Sequence, residues 1–418
     1  MNKIFWILAY FAIFFFSSYQ ILNVARLEPV HMDETDWILD TAFYDYVFLD
    51  KTPSNPNRWT TAQALSHPSL TKYIYGLYLH RVQPNFSKSR TQLYHDFGEK
   101  FAGTEEEVAL FSPHVMKLRY LTSAITISTL LLLFILINSL TQSKIAGGIL
   151  VILLSQNNLF VYTMTRATWD CIYVFFMTLA FVLYLYYIKT QNIIHLIIAG
   201  IASGATVISK LTGSIFHMGY TIFSTLSLVQ FSKHRKQIAL QWLTMMTLTF
   251  IVWSHFSIFF LHISPTSSIK LIGIQADINK GLNHKRPESF KSYTRRLEVL
   301  YCLTIQPSCL QRSDRQFLYK ASATRFPIIN LGVLFMGIFF CIHKIQQSKS
   351  LEHLYVLTIG LTSIATMFTL INVPWDRYYL PVIYFIAIFQ ALGFWYVYDS
   401  AKKVYLQKTY KSFTLMQK

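Results

Sequence analysis

Acidic side chains are scarce in this chain: 20 Asp and Glu stand against 37 Lys and Arg in 418 residues, and charged residues of both signs make up only 14%. With 53% of the sequence hydrophobic, that scarcity excludes an ordinary soluble domain. A Gly-rich phosphate loop is also lacking, so machinery for cytosolic ATP or a nucleotide sugar is not expected. No His-x-x-x-His pair occurs, which leaves any metal site to be assembled from distant segments. Internal repeats, a frequent mark of transporters, are not detectable, nor is a soluble domain at either end. The first apolar run has no small-residue cleavage pattern before Arg26 and is too long for a signal core, so it reads as a retained anchor. Cysteine is limited to four residues. Cys171 and Cys341 fall in or near apolar runs, whereas Cys302 and Cys309 share a polar segment and are either a disulfide in an oxidising compartment or two free thiols.

What the chain does have is apolar stretches of about 20 residues from end to end, the length that crosses a bilayer. The fold class expected is an all-α integral membrane protein of about ten transmembrane helices. The spans read as 3–24, 118–139, 145–163, 168–188, 193–209, 213–230, 238–262, 326–343, 351–371 and 377–398. Lys3, Lys144, Lys189, the Lys233–Lys236 cluster, Lys344, Lys349 and the Lys residues from 402 to 411 all fall on one side of this arrangement, which is then the cytoplasmic side. Of the 20 acids only Glu352 and Asp399 share that side. The net charge of +17 is therefore accounted for by topology and attraction to anionic membrane lipid. No nucleic-acid motif competes with that reading.

Residues 1–400 read as a single polytopic domain and 401–418 as a basic cytoplasmic tail. Two polar segments, 25–117 and 263–325, are too long to be mere connectors, and both lie outward. In the first, "TDWILDTAFYDYVFLD" places Trp37, Leu39, Ala42, Phe43, Tyr46 and Val47 on one helical face, with Asp36, Asp40 and Asp50 mostly elsewhere. This fits a helix lying along the membrane surface. "HPSLTKYIYGLYLHRV" predicts a second interfacial helix starting at His67-Pro68, with Leu70, Ile74 and Leu77 at helical spacing.

Several residues can carry chemistry. Asp33 and Glu34 in "HMDETDW" follow the first span closely. A carboxylate there serves as a general base or holds a divalent cation, or the doublet is simply a solvated acidic loop. Arg166 and Asp170, four residues apart in "TRATWD", are either an ion pair capping span four or an anion partner and a second acid in an outer cavity. Lys210 follows small residues that permit close helix packing, and it either snorkels to the headgroups or contributes a cation. Arg377 beside Asp376 in "DRYYLP" is an interface anchor or a third cation at the same outer level. Three such cations suit the phosphate of a membrane lipid. His67 is a base, a metal ligand or a helix-start residue.

Taken together, "HMDETDW", "HPSLTK", "TRATWD", "SKLTG" and "DRYYLP", in this order and topological placement, resemble the C-type membrane glycosyltransferases, in the branch of protein O-mannosyltransferases and lipid A aminoarabinose transferases. The resemblance implies transfer of a sugar from a polyprenyl-phosphate-sugar lipid to a protein, lipid or glycan acceptor on the outer side, with inversion. It implies Asp33 as catalytic base with Glu34 beside it, and Asp170 orienting the acceptor or a cation. Arg166, Lys210 and Arg377 would bind the donor phosphate, and His67, Lys72 and Asp376 would be acceptor-side or accessory residues. Pro68-Ser69 stands where the family often has Pro-Pro, and Ser66-His67 where related transferases have Glu-Lys, so a zinc-type site does not carry over. No cofactor is certain, with a divalent cation as the option. A bacterial inner membrane is expected, with the endoplasmic reticulum as the alternative. The competing function is a transporter or flippase for a lipid-linked conjugate.

Overall fold

The computed structural model describes residues 3–49, 69–87, 104–210, 213–230, 235–261, 266, 292–304, 327–370 and 379–416. Every regular element among them is a helix. The expected all-helical membrane fold is present, and the protein is an integral membrane protein. Among the described residues, seven helices are long and apolar enough to cross a bilayer, or eight if one bent pair is a single span. Ten is therefore not reached by length and composition, although each expected span has a helical counterpart. Those counterparts are α1 (Lys3–Leu27), α5 (Glu105–Thr141), the pair α6 (Lys144–Ser155) and α7 (Asn158–Thr165), α8 (Asp170–Thr190), α9 (Ile193–Ser209), α10 (Ser214–Gln230), α11 (Arg235–Leu261), α13 (Pro327–Ser348), α14 (Leu351–Leu370) and α15 (Leu380–Met416). The helices α9 and α10 hold 17 residues each, about 25 Å at 1.5 Å per residue, and fall short of a bilayer core of about 30 Å.

The span expected at 145–163 is broken, with α6 and α7 meeting at 74°. Polar residues make the break: the Asn157 side chain accepts the Phe160 N–H at 2.9 Å and caps α7. Around the bend, Ser17 of α1 bonds Ser155 at 3.0 Å and Gln156 donates to Gln20 at 2.7 Å. Such pairs tie helices together where lipid offers no partner. At the other end of α7, the hydroxyls of Thr122 and Thr126 on α5 donate to the carbonyls of Thr165 and Met164 at 2.6 and 2.9 Å. These are the carbonyls that a helix end leaves without an internal partner.

Close helix crossings follow the glycines. Gly200 and Gly204 of α9 lie where an added Cβ would come within 2.7 and 2.6 Å of Leu248 and Val252 on α11, so the small-residue run does bring two helices together. Gly337 of α13 and Gly393 of α15 cross still closer. A Cβ on either would come within 2 Å of a carbonyl oxygen, of Phe389 and Val333 respectively.

The first long polar segment differs from the expected surface helices. Where one helix was read, there are two, α2 (Met32–Asp40) and α3 (Ala42–Phe48), parted at Thr41. They pack into the protein, with Trp37, Ile38 and Phe43 buried and Asp40, against expectation, buried too; Asp45 is also buried. The second helix, α4, is described from Ser69 to Val82. Its buried stripe runs through Thr71, Lys72, Tyr73, Tyr75 and Leu79, while Leu77 is exposed. The reason is partnership: Lys72 meets Asp40 at 3.7 Å and His80 meets Asp45 at 2.6 Å, so the charged residues face inward as pairs. Gly76 lets α4 cross α3, since a Cβ would stand 2.3 Å from Tyr44 Cβ. The 37-residue α5 begins well before the expected span, and Lys117 and His114 on its extension bond Val82 and Gln83 at the end of α4. In the second long polar segment, α12 (Tyr293–Thr304) docks through Arg296, which donates to the Thr369 carbonyl at 2.9 Å. Beyond the last expected span, α15 continues as helix to Met416.

Replacing Gly393 by Ala should force apart α13 and α15, lowering stability by about 1–3 kcal/mol, whereas Gly332→Ala, with nothing within 4 Å of the new Cβ, should leave it unchanged or slightly higher. Thermal unfolding in detergent followed by circular dichroism measures both. Equal melting of the two variants would contradict the close crossing.

Candidate active site

The acidic doublet begins α2. His31 is its N-cap, with Nδ1 accepting the Asp33 N–H at 3.1 Å, while the His31 N–H donates to Glu34 Oε2 at 3.0 Å, a reciprocal capping box. Two carboxylates in the first turn also suit the positive end of the helix dipole.

The two acids then diverge. Glu34 is fully buried and meets Arg119 of α5 side-on, with Nε to Oε1 at 2.8 Å and Nη2 to Oε2 at 2.5 Å. Its Oε1 also accepts the Ala167 N–H at 2.9 Å, so each oxygen receives two donors. Arg119 completes its fork on the carbonyls of Ala25, Glu28 and Pro29 at 3.1, 2.6 and 2.8 Å. One ion pair thus joins the end of α1, the start of α2, α5 and the turn after α7. Asp33 keeps 28% of its side chain exposed, with the His31 ring 3.7 Å away.

The residues from 166 to 170 form a compact turn beside this hub. Arg166 ends α7 in extended backbone, with its guanidinium 3.6 Å over the Tyr162 ring. It is off the helix that starts at Asp170, so the four-residue spacing does not put the two on one helical face. Asp170 is buried and bonds Lys210, the residue that ends α9, at 2.6 Å. Thr168 donates to its other oxygen at 3.2 Å. The Lys210 ammonium lies 5.3 Å over Trp169 and 5.8 Å over Tyr173. It does not snorkel outward.

Aromatic contacts bring α2 and α4 onto this turn. Trp37 packs edge-on to Tyr75 and to Trp169, and the Tyr75 hydroxyl donates to the Thr168 carbonyl at 2.5 Å. Burial above all pushes the Tyr75 hydroxyl well above its usual pKa, with Glu34 and Asp170 both adding negative potential. Tyr75 is therefore a permanent donor between the two acid positions. Lys72 is 4.1 Å over the Phe43 ring beside Asp40. Burial lowers its pKa to about 8, partly offset by Asp40.

Of the residues singled out from the sequence, Asp33, Glu34, Arg166, Asp170 and Lys210 come to adjacent elements at one end of the bundle, with Lys72 nearby. His67, Asp376, Arg377 and Cys309 lie outside the described residues, as does the Cys302 side chain. Arg119 and Tyr75 escaped the sequence reading. Arg119 had a signal, a lone charge at the start of an apolar run, the kind of intramembrane ionisable residue that marks structure or function. Tyr75 had none, being one of 26 tyrosines. Among the described residues, no group of three His, Cys, Asp or Glu side chains is placed to hold a metal ion.

Residues 55–262, about half of the chain, match the model of the dolichyl-phosphate-mannose-protein mannosyltransferase family. That segment contains Arg119, Arg166, Asp170 and Lys210, and it begins after Asp33 and Glu34. Among solved structures, the chain is similar to the Archaeoglobus fulgidus oligosaccharyltransferase AglB in complex with an inhibitory peptide and a dolichol-phosphate (TM-score 0.55, 13% identity, 96% of this chain and 51% of that one). It is similar to the same enzyme tethered to an acceptor peptide (TM-score 0.53, 14% identity, 93% and 50%). A third likeness is to ArnT from Cupriavidus metallidurans bound to undecaprenyl phosphate (TM-score 0.50, 11% identity, 94% and 60%). The fold is the one that the resemblance to the C-type membrane glycosyltransferases implies. At these identities the likeness is one of fold, and the chain spans about half to three fifths of the length of those structures. No curated protein matches it by sequence.

Arg119→Met leaves the Glu34 carboxylate buried and should destabilise by about 3–5 kcal/mol, while Glu34→Met with Arg119→Met should recover much of the loss. Thermal melts of the two single variants and the double variant give the coupling, and additive losses would contradict a direct pair. Lys72 makes a second, pH-dependent prediction. Its folded pKa of about 8 lies below the ordinary lysine value of 10.5, so the folded state holds fewer protons between those values and stability should rise with pH across that window. Lys72→Met should flatten that part of the stability curve measured by denaturant titration; an unchanged slope would contradict it.

Proposed function

We propose that this protein transfers a sugar from a polyprenyl-phosphate-linked donor to an acceptor at the outward face, with inversion, and that Asp33 is the base. The polyprenyl phosphates in the AglB and ArnT structures support a lipid-phosphate donor. The family match supports mannosyl-type transfer, and the peptide-bound AglB structures support a protein acceptor. The observation that carries the assignment is the division within the doublet. Glu34 has all four acceptor positions engaged, whereas Asp33, in the same capped first turn, reaches solvent.

In this reading an acceptor O–H approaches Asp33 while its oxygen attacks the anomeric carbon from the face opposite the phosphate. The new C–O bond forms as the sugar–phosphate bond breaks, the proton passes to Asp33, and the polyprenyl phosphate leaves with the bonding electrons. A single in-line displacement inverts the anomeric centre. Charge grows on the departing phosphate oxygen, and Arg166, Lys210 and Arg377 are assigned to stabilise it. Asp170 holds the Lys210 ammonium in place, a positioning role. The site then lies at the end of the bundle away from the Lys- and Arg-rich loops, the outward side by the distribution of those charges.

The test is a transfer assay with purified protein, a radiolabelled polyprenyl-phosphate mannose and an acceptor peptide, with the product anomer read by NMR. Asp33→Asn should lower turnover by about 10²–10⁴-fold, as expected for loss of a general base. Undiminished transfer, or retention of configuration, would overturn the assignment. A chelator in the same assay decides whether a divalent cation takes part.

A further inference from the structure

At the opposite end of the molecule from Glu34 and Arg119 is a cavity of about 300 Å³. Its mouth is formed by Gln191, which ends α8, Gln237 and Gln241 in the first two turns of α11, and Leu351, which starts α14. Lys189 donates to the Ser139 carbonyl and Arg235 to the Leu228 carbonyl at this same end. Further in, the walls are Tyr184 and Ile188 of α8, Phe223 and Ser227 of α10, and Ile238.

The lining has an unusual chemistry for a site among membrane helices. Among the described residues it contains three carboxamides, a serine and a tyrosine, and no charged side chain. Gln237 donates to Gln191 at 2.7 Å, which fixes two of the amides across the mouth. Gln191 also donates to the Ile188 carbonyl at 2.9 Å, and Gln237 and Gln241 bond the Tyr187 hydroxyl; each carboxamide has two donors and an acceptor oxygen with two lone pairs, so these bonds leave bonding capacity in the three amides. The Ser227 hydroxyl is buried without a hydrogen-bond partner in the protein. Helical serines commonly bond the carbonyl four residues back, as Ser209 does here, and buried hydroxyls that do not are exceptions needing an explanation.

An anionic ligand would call for a cation in the lining, and a cationic ligand for an acid. A bare alkyl chain would strand the amides. A hydroxyl-rich neutral molecule matches each feature, since its O–H groups both donate and accept against amides, while the Tyr184 and Phe223 rings, packed edge to face at 6.1 Å, offer apolar surface to its C–H face. The volume is at the lower end of the roughly 300–1,000 Å³ of small-molecule sites, in keeping with one ring.

We propose that this cavity binds an uncharged polyhydroxylated group, a sugar ring or polyol, admitted from the Lys- and Arg-rich end and separate from the site at Glu34 and Arg119. The source is a free sugar or the headgroup of a glycolipid.

The full chain in phosphatidylcholine nanodiscs tests this by saturation-transfer NMR with methyl glucoside and with octyl glucoside below its micelle concentration. Saturable transfer to the ring protons of either is expected; signal from both indicates that the free sugar suffices, and signal from octyl glucoside alone indicates a lipid-anchored source. Gln241→Leu should weaken binding about tenfold, roughly one hydrogen bond's worth, and Ser227→Phe, which fills the cavity, should abolish it. Gln237→Leu repeats the measurement if Gln241→Leu fails to fold by circular dichroism. No saturable ring signal, equal signal in the Ser227→Phe protein, or full competition by octyl phosphocholine would overturn the proposal.

Discussion

The Glu34–Arg119 ion pair is the contact on which one end of the helix bundle depends. A charge moved out of water is destabilising unless its partner and its remaining donors or acceptors are supplied in good geometry. Here the supply is complete on the acid: a two-point guanidinium fork and two backbone N–H groups. The arginine in turn gathers three carbonyls from the chain leaving α1. Because those partners come from four separate segments, the pair can form only when all four are in place. It therefore fixes where α2 begins relative to the α7–α8 turn.

The remaining polar contacts extend the same logic. Asp170 and Lys210 join the start of α8 to the end of α9, and Asp40–Lys72 and Asp45–His80 join the two halves of the first long polar segment. Each is a buried or nearly buried pair, which makes it a poor source of net stability and a good source of specificity, since a misregistered helix would leave a charge alone. Aromatic edges close the space between them, with Trp37 against Tyr75 and Trp169. The outcome is an end of the bundle where acids and cations are held at fixed positions, the preorganisation that charge-stabilising catalysis requires.

The two ends of the molecule are built from different chemistry. One concentrates paired charges and aromatic rings; the other combines basic residues at the helix ends with an amide-lined cavity. The basic residues at these helix ends are thus also the surroundings of a neutral polar site, and a ligand there would bind without competing for the cations assigned to the phosphate.

Sequence by itself determined the membrane class, the all-helical fold, the approximate place of each apolar helix, and the positions Asp33, Glu34, Arg166, Asp170 and Lys210 at a common end. These are legible because hydropathy and charge distribution act over twenty-residue windows, and bilayer thickness imposes the length. The close packing after the small residues of α9 was legible for a similar reason, as it depends on side-chain size alone. Other features depended on partners distant in sequence. The helical wheel of residues 35–50 suggested a surface helix with Asp36, Asp40 and Asp50 mostly off its apolar face, yet Asp40 turns inward, as does Asp45, because Lys72 and His80 lie on the facing helix. Asp170 turns to Lys210, forty positions on, and Glu34 to Arg119, eighty-five on. Only the tertiary structure could decide which acid of the doublet is consumed by a buried cation and which still faces water, because an ion pair is set by distance in space, and that distance is not written in the local pattern.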